Sequence, residues 1–466
     1  MKTRRVVMLT TSFVLLCSCA DSEPPPPPLQ RTSPDSGIPV SAAPPAISPQ
    51  SATLGPRAWQ QFTTTIDAPV VWEIEEGLRG GTITAAGVYQ PGEEGTFHVR
   101  ATAVADSSRT ALAMVTVVSD GFHEVDSMRF ARCNHTATLL PSGKVLVVGY
   151  GEIAELFDPQ TETFSAIGRP LKGRDGASAT LLPDGTVLLA GGSGDTAEIF
   201  DPVSGRSRAT GQLIQARWGH SATVLPGGQI LIVGGRWDPA ELALSTAEIF
   251  DPASESFQAT GSMSTGRADH AAVLLPTGEV LIAGGANGHA PDAADDPPWD
   301  PLDSEVYAPG SGTFHQTGLM STTRVGPAAF PGSAGRVFLV GGVYPLQNRH
   351  EQPASPAYAE VYDDATEAVS PLLAPPGAQA RFAFTTLPGG KGLIAGGLSF
   401  SEDYSQQTYF PDAFLLDLTS GEFSGTGRLI HARAGAVATT LFDGRVLVTG
   451  GYDETGDCLQ SAEIYQ

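Results

Sequence analysis

The stretch Arg217 to Gly235, RWGHSATVLPGGQILIVGG, decides how this chain folds. It holds two short apolar runs, H-S-A-T-V-L and I-L-I-V, joined by P-G-G. Runs of that length bounded by Pro and Gly read as strands, and the link between them as a tight hairpin. The closing pair Gly234-Gly235 permits positive φ and close backbone approach. The same phrase returns with leading arginines at Arg132, Arg174, Arg217, Arg267, Arg324, Arg381 and Arg433, spaced 42 to 57 residues apart. Its glycine doublet returns at Gly191-Gly192, Gly284-Gly285, Gly341-Gly342, Gly396-Gly397 and Gly450-Gly451, and Tyr150 interrupts the first copy. Self-similarity at such a period marks a repeat architecture.

Each repeat continues through a variable loop to A-E-I-F-D-P or a relative, then to an outer strand of the type F-x-A-T-G. Glycine doublet, later aromatic and spacing together resemble the kelch family. That resemblance implies an all-β chain whose residues 120–466 form a seven-bladed β-propeller, one four-stranded blade per repeat. The last repeat stops at Ala462-Glu463-Ile464-Tyr465-Gln466, short of an outer strand, while Phe122 to Met128 resembles Phe257 to Met263. Strand 122–128 is therefore expected to complete the seventh blade and leave no open edge. In kelch propellers the loops that hold Cys133 and Cys458 emerge on one face of neighbouring blades. A disulfide is expected there in an exported chain; the alternative is two free thiols.

Residues 1–19 read as an export signal: Lys2, Arg4 and Arg5 precede an apolar run too short to span a membrane as a helix. Its end, L-C-S-C, resembles the lipobox of bacterial lipoproteins, with Cys19 as the lipidated residue and Cys17 as a departure from the usual pattern. Ala20 in place of an Asp favours the outer membrane, so the chain is expected in the cell envelope, held by its lipid alone. Residues 20–46, with Pro24 to Pro28 in a row, suit an extended tether. Residues 47–119 alternate polar and apolar with frequent turns, as a small β-sandwich requires. Their order W-E-I, G-G-T-I-T, G-V-Y-Q-P, G-T-F-H-V-R-A-T-A resembles bacterial immunoglobulin-like domains, with Trp72 as the expected core anchor.

Several constellations could carry function. The seven arginines are nearly matched by Glu155, Glu198, Glu248, Glu305, Glu360 and Glu463 before the third strand, with Phe414 breaking the acidic series. Matched numbers point to structural Arg-Glu pairing within or between blades. Arginines near this position also line the acidic-peptide pocket of some kelch propellers, which leaves a recognition role open. His135, His220 and His270 share a repeat position and are spread around the ring, so core hydrogen bonding is expected of them and not metal ligation. The loops after the glycine doublets carry Trp237, Trp299, Tyr344, Tyr404 and Tyr452, with Tyr409 and Phe410 nearby. Aromatics there could grip a sugar or a peptide, or could simply pack the loops. Asp292, Asp295, Asp296, Asp300 and Asp303 could bind calcium, but prolines interrupt them and no metal or cofactor is expected.

The formal charge of -23 makes nucleic acid an improbable partner, because phosphate binding needs clustered Lys and Arg. The expectation is a non-enzymatic module at the cell envelope that recognises a protein or a glycan through its propeller loops. The alternative is a carbohydrate-active enzyme. The resemblance to galactose oxidase would imply a Cys cross-linked to Tyr, a second Tyr and two His around copper, a set the sequence does not place. A sugar-acid mutarotase or epimerase is the other enzymatic possibility, and its catalytic residues are not placed either.

Overall fold

The computed structural model describes residues 44–54, 60–93, 95–117, 121–151, 153–192, 194–237, 243–287, 303–342, 359–373, 380–400 and 406–466. The regular elements of the described residues are β-strands, apart from two short 3-10 turns. Seven four-stranded antiparallel sheets account for most of them. The first runs in order Thr136–Leu139, Val145–Val148, Ala154–Asp158 and Thr163–Gly168. The inner hairpins follow one chemistry. Leu225 and Gln229 close a turn in which Gly228 takes φ 81° and donates to the Leu225 carbonyl at 2.8 Å, the glycine bulge that lets such a turn join twisted strands. Second strands such as Ile230–Val233 and Val446–Thr449 are buried at every residue. They can be almost wholly apolar because both of their faces are covered by neighbouring sheets.

The innermost strands touch in a closed cycle, each against its neighbours, and Thr136–Leu139 of the first sheet meets Val437–Thr440 of the last. This is the architecture of a β-propeller. Adjacent sheets share apolar seams: Leu231 and Val233 of the third sheet pack on Val280 and Ile282 of the fourth. The seam between last and first joins Leu447 and Ile464 to Val145, Val147 and Phe157. The last sheet takes its outer strand from the other end of the propeller sequence, with Phe122–Glu124 antiparallel to Ala462–Tyr465 and Phe122 opposite Tyr465. The strand is shorter than the expected 122–128, because after Glu124 the ladder thins to single bonds such as Met128 N–H to the Gln460 carbonyl at 2.9 Å. Cys133 and Cys458 form a disulfide beside this closure, with Cα atoms 5.3 Å apart and a sequence separation of 325.

The N-terminal region forms a four-stranded sheet that holds Val70–Ile74 at one edge, and a three-stranded sheet that includes Val88–Pro91. One core of Phe62, Tyr89, Phe97, Val99 and Val115 draws on both. Trp72 differs from its expected role. It lies on the edge strand, only partly buried, and packs against that core from outside. Cys19 and nearly all of the tether lie outside the described residues.

Candidate functional site at the propeller axis

The repeat arginines are built into a clamp. Arg132, Arg174, Arg217, Arg267, Arg324 and Arg433 are all 2 % exposed or less. Each makes an ion pair of 2.5 to 2.8 Å with a glutamate of its own sheet: Glu155, Glu198, Glu248, Glu305, Glu360 and Glu463 respectively. Each also donates to the carbonyl of the glycine 17 residues on, from Gly149 to Gly450. The glutamate in turn accepts a backbone N–H from the segment entering the sheet, as Ile214 N donates to Glu248 at 2.7 Å. Buried charges persist only when paired and hydrogen-bonded in this way.

Arg381 does not belong to that ring, and here the sequence reading needs correction. The six clamped arginines stand four residues ahead of their first strands, whereas Arg381 stands two ahead of Ala383–Leu387. Counting by strand, and by the glycine 17 residues on at Gly396, puts Gln379 at the clamp position. The partner position, opposite Ile394, is Phe414. Both charges of the clamp are thus replaced together in the sixth sheet, as the cost of burying one without the other demands. Gln379 itself lies outside the described residues.

Arg381 instead occupies a second repeat position, two residues beyond the clamp. Asn134, Gly176, Gly219, Asp269, Gly326, Arg381 and Gly435 hold this place in the seven sheets, and all have φ between 50° and 66°. Backbone bonds link several neighbours: Asp269 N–H to Gly219 O at 2.8 Å, Gly326 N–H to Asp269 O at 2.6 Å, and Gly435 N–H to Arg381 O at 2.5 Å. The left-handed conformation is natural for glycine and costs about 1–2 kcal/mol for most other residues. Four sheets use glycine; three accept a polar side chain instead.

All seven positions line one cavity of about 730 Å³, together with His135, Asp175, Trp218, Val325 and Tyr452. Arg381 and Asp175 are exposed to it, unlike the clamped arginines. The Arg381 guanidinium lies over the Tyr452 ring, 6.0 Å from its centre. Arg236 stacks on Trp218 at 5.3 Å and pairs with Asp269 at 3.5 Å. Burial pushes the Asp269 carboxyl up, against the pull of Arg236 and Arg381. Burial also raises Asp175, whose partner is the Asn134 amide.

Of the aromatic candidates, Tyr452 lines the cavity, and Trp237 is 49 % exposed just outside it, its carbonyl accepting from Trp218 Nε1 at 3.3 Å. Trp299, Tyr344 and Tyr404 lie outside the described residues, as do Asp292, Asp295, Asp296 and Asp300. Trp218, Asp175 and Asp269 were missed because they precede the first strand and do not sit in the long loops. Asp269 stands at the repeat position usually held by glycine, and Asp175 and Trp218 stand one residue before it.

His135, His220 and His270 each cross to the preceding sheet, where Nε2 meets Thr449, Ser178 and Ser221 hydroxyls at 2.8 to 2.9 Å. Their Nδ1 atoms are enclosed, and burial lowers each pKa to about 3, with help from the adjacent clamp arginine. With both propeller cysteines in the disulfide and these histidines on three separate sheets, the described residues do not fit a copper-radical centre of the galactose oxidase kind. Among the described residues, the group that could approach a metal is Glu75, Glu76 and His98, on the N-terminal module. Its members are already paired, His98 with Glu76 and Glu75 with Arg100.

No family model matches the chain, and no curated protein does. Among solved structures, a fungal alcohol oxidase of the AA5 family in complex with copper matches with a TM-score of 0.57 at 17% identity, over 74% of this chain and 76% of that one. The structure of YjhT matches with a TM-score of 0.46 at 16% identity, over 62% of this chain and 93% of that one. At such an identity the likeness to the oxidase shows the fold alone.

Proposed function

We propose that this chain is an exported, lipid-anchored recognition protein that binds a glycan in the axial cavity of a seven-bladed kelch-type propeller. In this reading Cys19 carries the lipid, residues 20–46 are a tether, and an immunoglobulin-like sandwich of residues 47–119 spaces the propeller from the membrane. The observation that carries the reading is Arg381 at φ 55°. A long charged side chain is held there in a conformation that glycine adopts in four of the sheets, and strain of this kind concentrates where a side chain is needed for a ligand. The cavity also has the composition of a sugar site, with Trp218 and Tyr452 offering ring faces and Asn134, Asp175 and Asp269 offering hydroxyl partners. Trp237, exposed beside the rim, would extend such a site outward.

Glycan-array binding by the mature protein and by Trp218→Ala tests this. Binding that falls at least about tenfold in the variant supports the site; unchanged binding places recognition elsewhere. A second reading, acid–base catalysis on a sugar, is favoured by the raised pKa values of Asp175 and Asp269 in one cavity. Proton exchange at the anomeric carbon, followed by NMR with candidate sugars, distinguishes it.

A further inference from the structure

The links from second to third strand differ in length around the ring. The first and second sheets use five and six residues, 149–153 and 191–196, whereas each of the other five sheets uses twelve or more. So short a link cannot reach far from the strands it joins, and the first two sheets add little wall to the cavity. Two aromatic rings stand exposed on that side. Tyr150 is 46 % exposed and has φ 44°. It stands two residues beyond its second strand, a place held in the other sheets by Gly192, Gly235, Gly285, Gly342, Gly397 and Gly451, with φ between 71° and 97°. Glycine is what the backbone asks for at this point, and a bulky side chain persists there only where it has a use. Packing does not supply that use, because nearly half of the residue faces solvent. Gly192, its counterpart in the second sheet, lines the cavity, which puts Tyr150 at the cavity's edge. The second ring is Trp237, 49 % exposed. A Cβ at Gly194 would lie 3.9 Å from its Cη2, so this indole of the third sheet reaches the short link of the second. Neither ring is stacked by a cation or by another ring among the described residues.

Resting on the glycan reading above, we infer that the ligand is a chain of uncharged sugar units that leaves the cavity over the first and second sheets, its outer units stacked on Trp237 and Tyr150. The face of a pyranose ring carries C–H groups, and an exposed aromatic face gains by covering them. Neither Tyr150 nor Trp237 lines the cavity, so a single sugar held inside it would gain nothing from either ring. A chain offers the same kind of face again at each unit, and two platforms on neighbouring sheets suit that repetition. The formal charge of -23 sets the protein against an anionic polymer.

Calorimetric titration of the full mature protein tests this with two series of probes: N-acetylglucosamine with its β-linked tetramer and hexamer, and glucose with cellotetraose and cellohexaose. The inference expects the hexamer of at least one series to bind at least about tenfold more tightly than its single sugar. Tyr150→Gly should lower the hexamer's affinity by about fivefold and leave that of the single sugar as it is, and Trp237→Ala should do the same. Tyr150→Gly restores the residue of the other six sheets, so it should melt no lower than the parent, which separates lost stacking from lost folding. Trp237→Ala keeps the backbone carbonyl that accepts from Trp218 Nε1. Equal affinity for hexamer and single sugar, or a hexamer indifferent to both substitutions, overturns the chain inference and leaves the glycan reading in place. Silence with both series overturns the chain inference too, and the glycan array then decides the reading beneath it.

Discussion

Arg217 Nη2 lies 2.7 Å from Glu248 Oε1, and both side chains are withdrawn from solvent. The pair also ties two backbone segments together, since Arg217 donates to the Gly234 carbonyl and Glu248 accepts from Ile214 N–H. Removing one partner leaves a buried charge with nothing to neutralise it.

Glu248→Gln should therefore lower stability by about 3–5 kcal/mol, whereas Arg381→Gln should change it by less than about 1 kcal/mol because that residue is exposed. Denaturant unfolding of the two variants measures the contrast. Equal losses would mean that Arg381 is a clamp residue after all.

The Cys133–Cys458 disulfide links the first sheet to the last across 325 residues of sequence. Cross-linking so long a loop restricts the unfolded chain, so the double variant Cys133→Ser/Cys458→Ser should lose roughly 2–4 kcal/mol. The closing strand pairs independently of the sulfurs, through Phe122 opposite Tyr465. The reduced protein should then keep its far-ultraviolet circular dichroism at room temperature while melting lower; loss of β signal without heating would show that the disulfide is required for closure itself.

Acid should destabilise the propeller through its histidines. His135, His220 and His270 titrate at about 3 when folded and near the ordinary 6.5 when unfolded. Between those values the unfolded chain binds protons that the folded one refuses, so stability falls as pH drops from 6.5 toward 3 and is constant with respect to these groups above that window. Melting temperature followed across pH 7 to 4 should fall less steeply in His220→Gln, which keeps a donor for Ser178 but cannot be protonated. Identical slopes would remove the histidines from the account.

Gly219→Ala probes the crowding of the rim. A Cβ added there would sit 2.8 Å from an Asp269 carboxylate oxygen, at φ 65°. The expected loss is about 1–2 kcal/mol from the backbone alone, with Asp269 displaced into the cavity. Ligand affinity should drop along with stability; a variant as stable as the parent would mean that the rim relaxes without strain.

The repeats were legible because most sheets share one local chemistry: the Pro-x-Gly hairpin, the mainly apolar second strand and the glycine doublet all have short-range causes. The closing contact of Phe122 with Tyr465 could be anticipated from a strand that the last repeat lacked. Arg381 was misplaced because a repeat was anchored on its most visible residue; the strand beginning at Ala383 is the better ruler, and it assigns the clamp to Gln379. The axial cavity escaped notice for a different reason. Asp175, Trp218 and Asp269 are far apart in sequence and converge only when the sheets close into a cycle, which no single repeat can reveal.

The most direct test of a ligand site at the axis is the variant Arg381→Gly, measured for stability and for glycan binding in the same preparation. Glycine at φ 55° relieves the left-handed strain, so the account predicts a gain of about 1 kcal/mol in unfolding free energy together with loss of binding. A variant that binds as well as the parent would contradict it, whatever happens to the stability.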